Sequence, residues 1–277
     1  MKSAITVLKE QFKHFNLIRR ISLYELRNNN SANYLGLAWE ILSPLIQIAI
    51  YWLVFGYLIS GGEKKEIDNP SGGEPIQFLP WLITGLILWM FFQPAATQGA
   101  KSIYTRLRLL SKMNFPMSVI PNITIFSKFY PHLILIVIAL VIAQITGYTI
   151  SIYILQLPYF IFAGFAFTYA FALLMTTLTT LIRDIQLLLQ AVLRMVLYLT
   201  PILWTSQNLP GFLDTLMKLN PLYYLVEGYR AGLLGQHGWY LINSWQYSIY
   251  FWVVTIILFT IGSILHVRFR RHFIDFL

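Results

Sequence analysis

The amino-acid sequence predicts an all-α polytopic membrane protein with six transmembrane helices. Hydrophobic residues make up 57% of its 277 positions and charged residues only 11%, whereas an average soluble domain carries about 25% charge. The hydrophobic residues gather into long runs, and most of the 20 lysines and arginines lie at the ends of those runs. This pattern excludes a water-soluble globule, and it accounts for the net charge of +9 without a nucleic-acid ligand.

Six stretches meet or approach the roughly 20 apolar residues that a helix needs to cross a bilayer. They cover about residues 37–60, 79–98, 118–146, 157–182, 185–204 and 247–267. The third is the least regular, because Pro121, Lys128 and Pro131 predict a broken or interfacial first half. Glu40 lies in the first stretch. Arg194, at the centre of the fifth, is expected to face a pore or an interface, or to pair with an acid.

The distribution of lysine and arginine predicts the orientation of the chain. Fourteen of them fall in residues 1–36, 99–117, 183–184 and 268–277, and four fall in the alternate segments. Cytoplasmic segments of membrane proteins hold the excess of these residues. Both termini are therefore predicted to be cytoplasmic, with residues 268–277 forming a basic tail.

The segment 1–36 carries the pattern of an amphipathic helix. Ile5, Leu8, Phe12 and Phe15 recur at steps of three and four residues, and basic residues occupy other positions of the helical wheel. This predicts a helix that lies in the inner membrane interface or packs on a partner protein, and both are compatible with the pattern. The run from 28 to 31, Asn-Asn-Asn-Ser, is expected to end it.

Two connecting segments also carry helical patterns. Residues 99–117 contain four basic and no acidic side chains, which is compatible with a short helix that docks on an acidic partner or with a solvated loop. Residues 205–246 contain two apolar pieces, 212–219 and 222–234, separated by Asn220-Pro221. Each piece is too short to span, so the sequence predicts a re-entrant extracellular hairpin between spans five and six.

The sequence lacks the usual motifs of catalysis. It contains no GxxxxGKS/T phosphate loop, no HExxH and no GxSxG, and with no cysteine and five scattered histidines a metal site is not expected. The acids near the membrane, Glu40, Asp184 and Glu227, are isolated in the sequence, which disfavours an enzyme. A stand-alone secondary transporter or channel is the rival class, but it predicts paired intramembrane ionisable residues or inverted repeats, and neither is evident.

The order of these elements resembles that of ABC-2 type exporter permeases. Further landmarks are residues 34–40 (YLGLAWE), Arg183-Asp184 after the fourth span, Pro201-Ile202 ending the fifth, and Asn220-Pro221-Leu222 in the hairpin. The similarity covers nearly the whole chain and places the transmembrane domain at 37–267. Within the family, the opening residues look most like the wall teichoic acid translocation permeases of Gram-positive bacteria, which are related to O-antigen polysaccharide exporters.

The resemblance implies a permease subunit in the bacterial cytoplasmic membrane. Two copies pair as a homodimer, and two ABC ATPase subunits hold the ATP and Mg²⁺, so this chain binds no cofactor itself. The cargo implied is undecaprenyl-diphosphate-linked wall teichoic acid, an anionic polymer, with a lipid-linked O-antigen or capsular polysaccharide as the alternative.

Four sets of residues follow from the resemblance and from the chemistry of such a cargo. Arg27, Tyr34 and Trp39 are expected at the entrance for the lipid diphosphate, although Arg27 also fits an ordinary headgroup contact. Weak stacking and hydrogen bonding along the translocation path are expected from aromatic and polar residues, for which packing between helices is the alternative. These are Gln47, Tyr51, Trp52, Trp89, Phe91, Phe92, Gln93, Arg194 and Tyr198.

The other two sets lie outside the spans. The resemblance implies contact with the ATPase by Lys101, Ile103, Tyr104, Arg106, Arg108, Phe115, Arg183 and Asp184. An extracellular gate is expected from Tyr223, Tyr224, Glu227 and Arg230. Because Glu227 and Arg230 are three residues apart on a helix, a plain surface ion pair is the alternative.

Overall fold

The computed structural model describes residues 2–60, 65–68, 75–107, 115–205, 210–235 and 238–273, which are mainly helical. The α-helices are α1 (Lys2–Lys13), α2 (Phe15–Asn29), α3 (Trp39–Tyr51), α4 (Phe78–Lys101), α5 (Val119–Ile145), α6 (Leu157–Leu181), α7 (Asp184–Leu199), α8 (Gly211–Lys218), α9 (Pro221–Leu234), α10 (Tyr240–Asn243) and α11 (Trp245–Phe269). Short 3-10 helices cover Gly36–Ala38, Tyr104–Arg106 and Ile152–Gln156, and a π-helix, Trp52–Leu58, continues α3. Strands β1 (Glu66–Ile67) and β2 (Ile76–Gln77) pair antiparallel. The all-α prediction is confirmed.

Five helical stretches among the described residues are long and apolar enough to cross a membrane. They are Gly36–Leu58, Phe78–Lys101, Val119–Ile145, Ile152–Leu181 and Trp245–Phe269. The predicted fifth span corresponds to α7, which has 16 residues and extends about 24 Å at 1.5 Å per residue. That is short of a hydrocarbon core about 30 Å thick, so the sixth span stays a prediction.

Helix α4 forms the centre of the bundle. It carries no charged side chain before Lys101, and it packs against α5, α6 and α9. In its most apolar stretch 78% of the residues are buried, against 11% for the first span. A helix that is apolar on all sides is expected inside a bundle, as α4 is. The first span lies at the edge of the bundle and consists of the 3-10 turn at 36–38, α3 and the π-helix.

Helix α5 corrects the prediction of a broken third span, because it runs without interruption from Val119 to Ile145. Pro121 is its third residue, where a helix has no partner for the backbone N–H, so proline costs little there. Pro131 lies inside the helix and is accommodated without ending it. The charge of Lys128 is neutralised by Glu40.

The N-terminal segment forms two helices, α1 and α2, joined at His14. Helix α1 packs against α11, and α2 packs against α5 and ends at Asn29, as the Asn-rich run predicts. The buried residues of α1 are Val7 and Gln11, while the predicted apolar stripe faces outward, with Phe12 80% exposed. This stripe remains available for lipid or for a partner protein.

The predicted hairpin contains two helices, α8 and α9. Asn220 begins α9, its side chain accepting a hydrogen bond from the Leu222 N–H, and Gly235 ends it with φ of 71°. Helix α8 has no buried residue, whereas α9 is buried over most of its length against α4 and α6. The two pieces predicted from the apolar pattern are therefore present, and their re-entrance into the bilayer stays a prediction.

Candidate functional site

A cavity of about 460 Å³ lies between the first span, α4 and α5. Its walls are Asn30, Trp39, Glu40, Ser43, Pro44, Gln47, Trp89, Met90, Gln93, Pro94, Lys128, Pro131, His132 and Leu135. The first span and α5 both begin on the predicted inner side. Trp39 and Glu40 belong to the first turn of α3, so the cavity lies toward the predicted cytoplasmic half of the membrane.

An ion pair joins two walls of this cavity. The Lys128 Nζ lies 3.0 Å from Oε1 and 3.1 Å from Oε2 of Glu40. The Asn30 side-chain amide also donates to Glu40 Oε1, at 2.9 Å. The side chains of Lys128 and Glu40 are only 11% and 17% exposed, so their contact compensates part of the cost of burying two charges.

His132 lies one turn after Lys128 on α5 and forms part of the cavity wall. Its Nε2 is 2.8 Å from the Tyr229 hydroxyl, and its ring stacks on Phe91 with the centroids 4.7 Å apart. Both His132 and Tyr229 are buried. These contacts join the cavity wall to helix α9, which belongs to the predicted extracellular hairpin.

A second ion pair fixes α9 in the core. Arg230 Nη1 contacts Glu227 Oε1 at 2.5 Å, and Nη2 donates to the Pro201 carbonyl at 2.8 Å. The guanidinium carbon also lies 3.7 Å from the ring centroid of Trp81. Because Arg230 is 1% and Glu227 8% exposed, the alternative of a plain surface pair was wrong.

The two pairs also correct the sequence argument about ionisable residues. Glu40 and Glu227 are isolated in the sequence, but each is paired in the fold. Paired ionisable groups therefore do not separate a stand-alone transporter from a permease subunit in this chain. The distinction has to come from elsewhere.

Comparison with known proteins supplies it. A family model described as "ABC-2 type transporter" matches residues 17–234. The chain belongs to this family. It is thereby a multi-pass membrane subunit of a transporter.

The chain is also similar to curated proteins named "O-antigen export system permease protein RfbA". It is 25% identical over 217 residues to one from Klebsiella pneumoniae, covering 78% of this chain and 79% of that protein. It is 22% identical over 229 residues to one from Myxococcus xanthus, covering 82% and 84%. A second Klebsiella pneumoniae protein is 23% identical over 264 residues, or 95% of both chains.

In this ABC-2 transporter subunit, the three predicted entrance residues do not lie together. Trp39 lies on the cavity wall, whereas Arg27 and Tyr34 are exposed and lie outside the lining. The sequence prediction missed Glu40 and Lys128 as site residues. The available signal was a charged residue within each of two otherwise apolar stretches, and only the fold places them in contact.

The predicted path residues fall into three groups. Gln47, Trp89 and Gln93 line the cavity. Phe91 and Phe92 are buried in aromatic packing, Phe91 against His132 and Phe92 against α6. Trp52, Tyr198 and Arg194 are exposed and Tyr51 is half-buried on the bundle surface. The path itself stays a prediction.

Some of the residues predicted to contact the ATPase are exposed, and others are buried. Lys101, at the end of α4, and Arg183 and Asp184, before and at the start of α7, are exposed. Ile103 is fully buried and packs with Ile120 and Phe273, and Tyr104 and Phe115 pack beside this cluster. Arg106 contacts Glu25 at 2.9 Å, and Arg108 lies outside the described residues. The segment is thus partly held by this chain's own core.

The predicted gate residues lie on α9 next to the exposed α8. Tyr224 is buried, and its hydroxyl is 2.7 Å from Ser248 Oγ of α11. Tyr223 is half-buried. On α8, Lys218 pairs with Asp214, and this hydrogen bond raises the pKa of the lysine. Three of the four predicted gate residues are thus packed in the core.

The part of the chain that the structure describes contains no group of three or more His, Asp or Glu side chains placed to hold a metal ion. The chemistry that the cavity offers is hydrogen bonding by amides and a hydroxyl, aromatic faces and one pair of opposite charges.

Proposed function

We propose that this chain is the permease subunit of an ATP-driven exporter that moves a lipid-linked cell-surface polysaccharide of the O-antigen type across the bacterial cytoplasmic membrane. The observation that carries the proposal is the similarity to O-antigen export permeases, which extends over 95% of both chains in one case. Membership of the ABC-2 family supports the same role.

In this proposal the energy comes from separate subunits. The sequence holds no phosphate loop, so two ABC ATPase subunits would bind ATP and Mg²⁺ and dock on the cytoplasmic face. Exposed Lys101, Arg183 and Asp184 suit that contact, and the charges around them are mostly basic. Two copies of the chain would form the conduit as a homodimer, and the exposed face of α7 is the surface we assign to their contact.

Wall teichoic acid is the second candidate cargo. The opening residues, LKEQFKHFNLIRRISLYELRNNNSANYLGLAWEILSP, favour it, while the curated relatives favour O-antigen. Both cargoes are polymers attached to a polyprenyl diphosphate, so the entrance would meet the same headgroup. They differ in the polymer that follows it.

Reconstitution tests the function directly. The permease and its ATPase are placed in proteoliposomes, and ATP hydrolysis is measured with lipid-linked O-polysaccharide, with lipid-linked teichoic acid and without polymer. We expect stimulation by a lipid-linked polymer and none by the free sugar. Nucleotide hydrolysis or uphill transport by the purified chain alone would refute the proposal.

Two simpler measurements test its parts. Lys101→Glu should weaken co-purification of the ATPase, and Lys218→Glu, on the predicted outer side, serves as the matched control. A tag on the first residue should be accessible only from the cytoplasm. An exterior tag would reverse the predicted topology.

A further inference from the structure

The ion pair in the cavity suggests a binding site that the preceding roles leave unused. We propose that Lys128 binds the phosphate group of a lipid headgroup and that Glu40 occupies this position when no headgroup is bound. The proposal rests on the function proposed above and names the residue that would hold its anionic ligand. It replaces Arg27, which lies outside the cavity, as the principal cation.

Lys128 has one anionic partner among the described residues of the cavity wall. Glu40 is the sole acid and Lys128 the sole lysine or arginine among the described lining residues. A buried cation that loses its partner is strongly destabilised. If Glu40 moves away, an incoming anion restores this compensation.

The charge of Glu40 is stabilised by more than Lys128. It lies in the first turn of α3, where a negative charge is stabilised by the helix dipole. It also accepts a hydrogen bond from Asn30. Glu40 can therefore remain charged without Lys128, whereas Lys128 has no second acid among the described residues of the cavity wall. An incoming anion can thus replace Glu40 beside Lys128 more readily than an incoming cation can replace Lys128 beside Glu40.

The location of the cavity and the rest of its lining also suit a lipid headgroup. Gln47, Gln93 and Ser43 also line the cavity and carry groups that can donate hydrogen bonds. The volume of about 460 Å³ lies within the usual range of ligand sites, about 300–1,000 Å³. The wall formed by the first span is the outermost of the bundle, with Trp39 40% exposed. A headgroup can therefore enter while its acyl or prenyl chain stays in lipid.

The proposal predicts opposite effects for the two members of the pair. Glu40→Gln removes the competing charge and retains the shape and an amide oxygen for Asn30, so headgroup binding should become at least about tenfold tighter. Lys128→Met removes the cation and should reduce binding by at least about tenfold. Lys128→Arg should retain binding. Asp214→Asn makes the same chemical change as Glu40→Gln in an ion pair on α8, and it should have no effect.

The assay uses the full chain in nanodiscs, with bound lipid counted by native mass spectrometry. Three probes distinguish the source of the phosphate: a long-chain polyprenyl diphosphate, phosphatidylglycerol and inorganic pyrophosphate. Binding of the polyprenyl diphosphate alone assigns the site to the cargo lipid, and binding of both lipids assigns it to lipid phosphates in general. Binding of pyrophosphate without either lipid overturns the proposal.

The folding of each variant is checked by size-exclusion chromatography and by thermal unfolding. If Glu40→Gln does not fold, the comparison of Lys128→Arg with Lys128→Met still decides the role of the cation. Equal lipid binding by these two variants overturns the site even when wild-type protein still supports polymer-stimulated ATP hydrolysis. Absence of that stimulation in the wild type, with the Lys128 dependence of lipid binding intact, refutes the proposed function and not the site.

Discussion

The buried position of Arg230 makes a quantitative prediction about stability. Arg230→Met retains much of the aliphatic stem but removes the guanidinium that contacts Glu227, the Pro201 carbonyl and the Trp81 ring. Removing one partner of a buried ion pair costs about 3–5 kcal/mol, and a desolvated contact between a cation and an aromatic ring is worth up to about 2 kcal/mol. We expect a total loss near 5 kcal/mol.

The assay is thermal unfolding of the purified protein in detergent at one fixed scan rate. For chains of this size, a loss of 1 kcal/mol lowers Tm by about 2–4 °C. A loss near 5 kcal/mol should therefore lower the Tm of Arg230→Met by about 10 °C or more. The matched control is Asp214→Asn, which breaks an i,i+4 pair whose side chains are 31% and 33% exposed. Pairs of that kind contribute about 0.3–0.5 kcal/mol, so Tm should change by only about 1–2 °C.

The double variant Glu227→Gln/Arg230→Met isolates the charge effect. Because it leaves no buried carboxylate facing a missing partner, it should recover a large part of the stability lost by Arg230→Met. Equal shifts for Arg230→Met and Asp214→Asn would refute the reasoning. So would a double variant that is destabilised by the sum of its two single changes.

Two further changes probe the packing of α9. Tyr229→Phe removes the hydroxyl that lies 2.8 Å from His132 Nε2 and should cost about 1–3 kcal/mol in thermal unfolding, because the buried histidine loses its partner. Gly228→Ala would place a methyl group in steric overlap with the Phe160 ring and should cost about 1–3 kcal/mol by overpacking. Gly211→Ala, which meets no atom within 4 Å, is the control, and equal melting of the two alanine variants would contradict this packing.

The apolar runs were sufficient to predict the positions of all five long apolar helical stretches of the described residues. Helix α4, for example, was predicted at 79–98 and is observed at 78–101, because a long uncharged run can only be buried or face lipid. The helix breaker after α2 and the Asn-Pro start of α9 were also predictable, since both depend on local backbone chemistry.

Long-range pairing was beyond the sequence argument. Glu40 and Lys128 are separated by 88 residues along the chain, and nothing local to Lys128 indicates its partner. The charge therefore suggested an interfacial, broken helix, whereas the fold supplies a carboxylate and the helix continues. The same reason explains Ile103, whose basic neighbours were compatible with a cytoplasmic docking helix or a solvated loop, while its side chain packs into a cluster with Phe273.

The surroundings of Arg194 differ from those of Lys128 and Arg230. Lys128 and Arg230 each face a carboxylate, but Arg194 is exposed on α7, where its Nε donates to the Gln190 carbonyl of the same helix. Its neighbours Met195 and Tyr198 are also exposed. A charged side chain near the middle of a membrane helix costs about 2.5–3.5 kcal/mol when it faces lipid. This face of α7 is therefore better explained by water or by a second protein surface than by lipid, which supports our assignment of α7 to the contact between two copies of the chain.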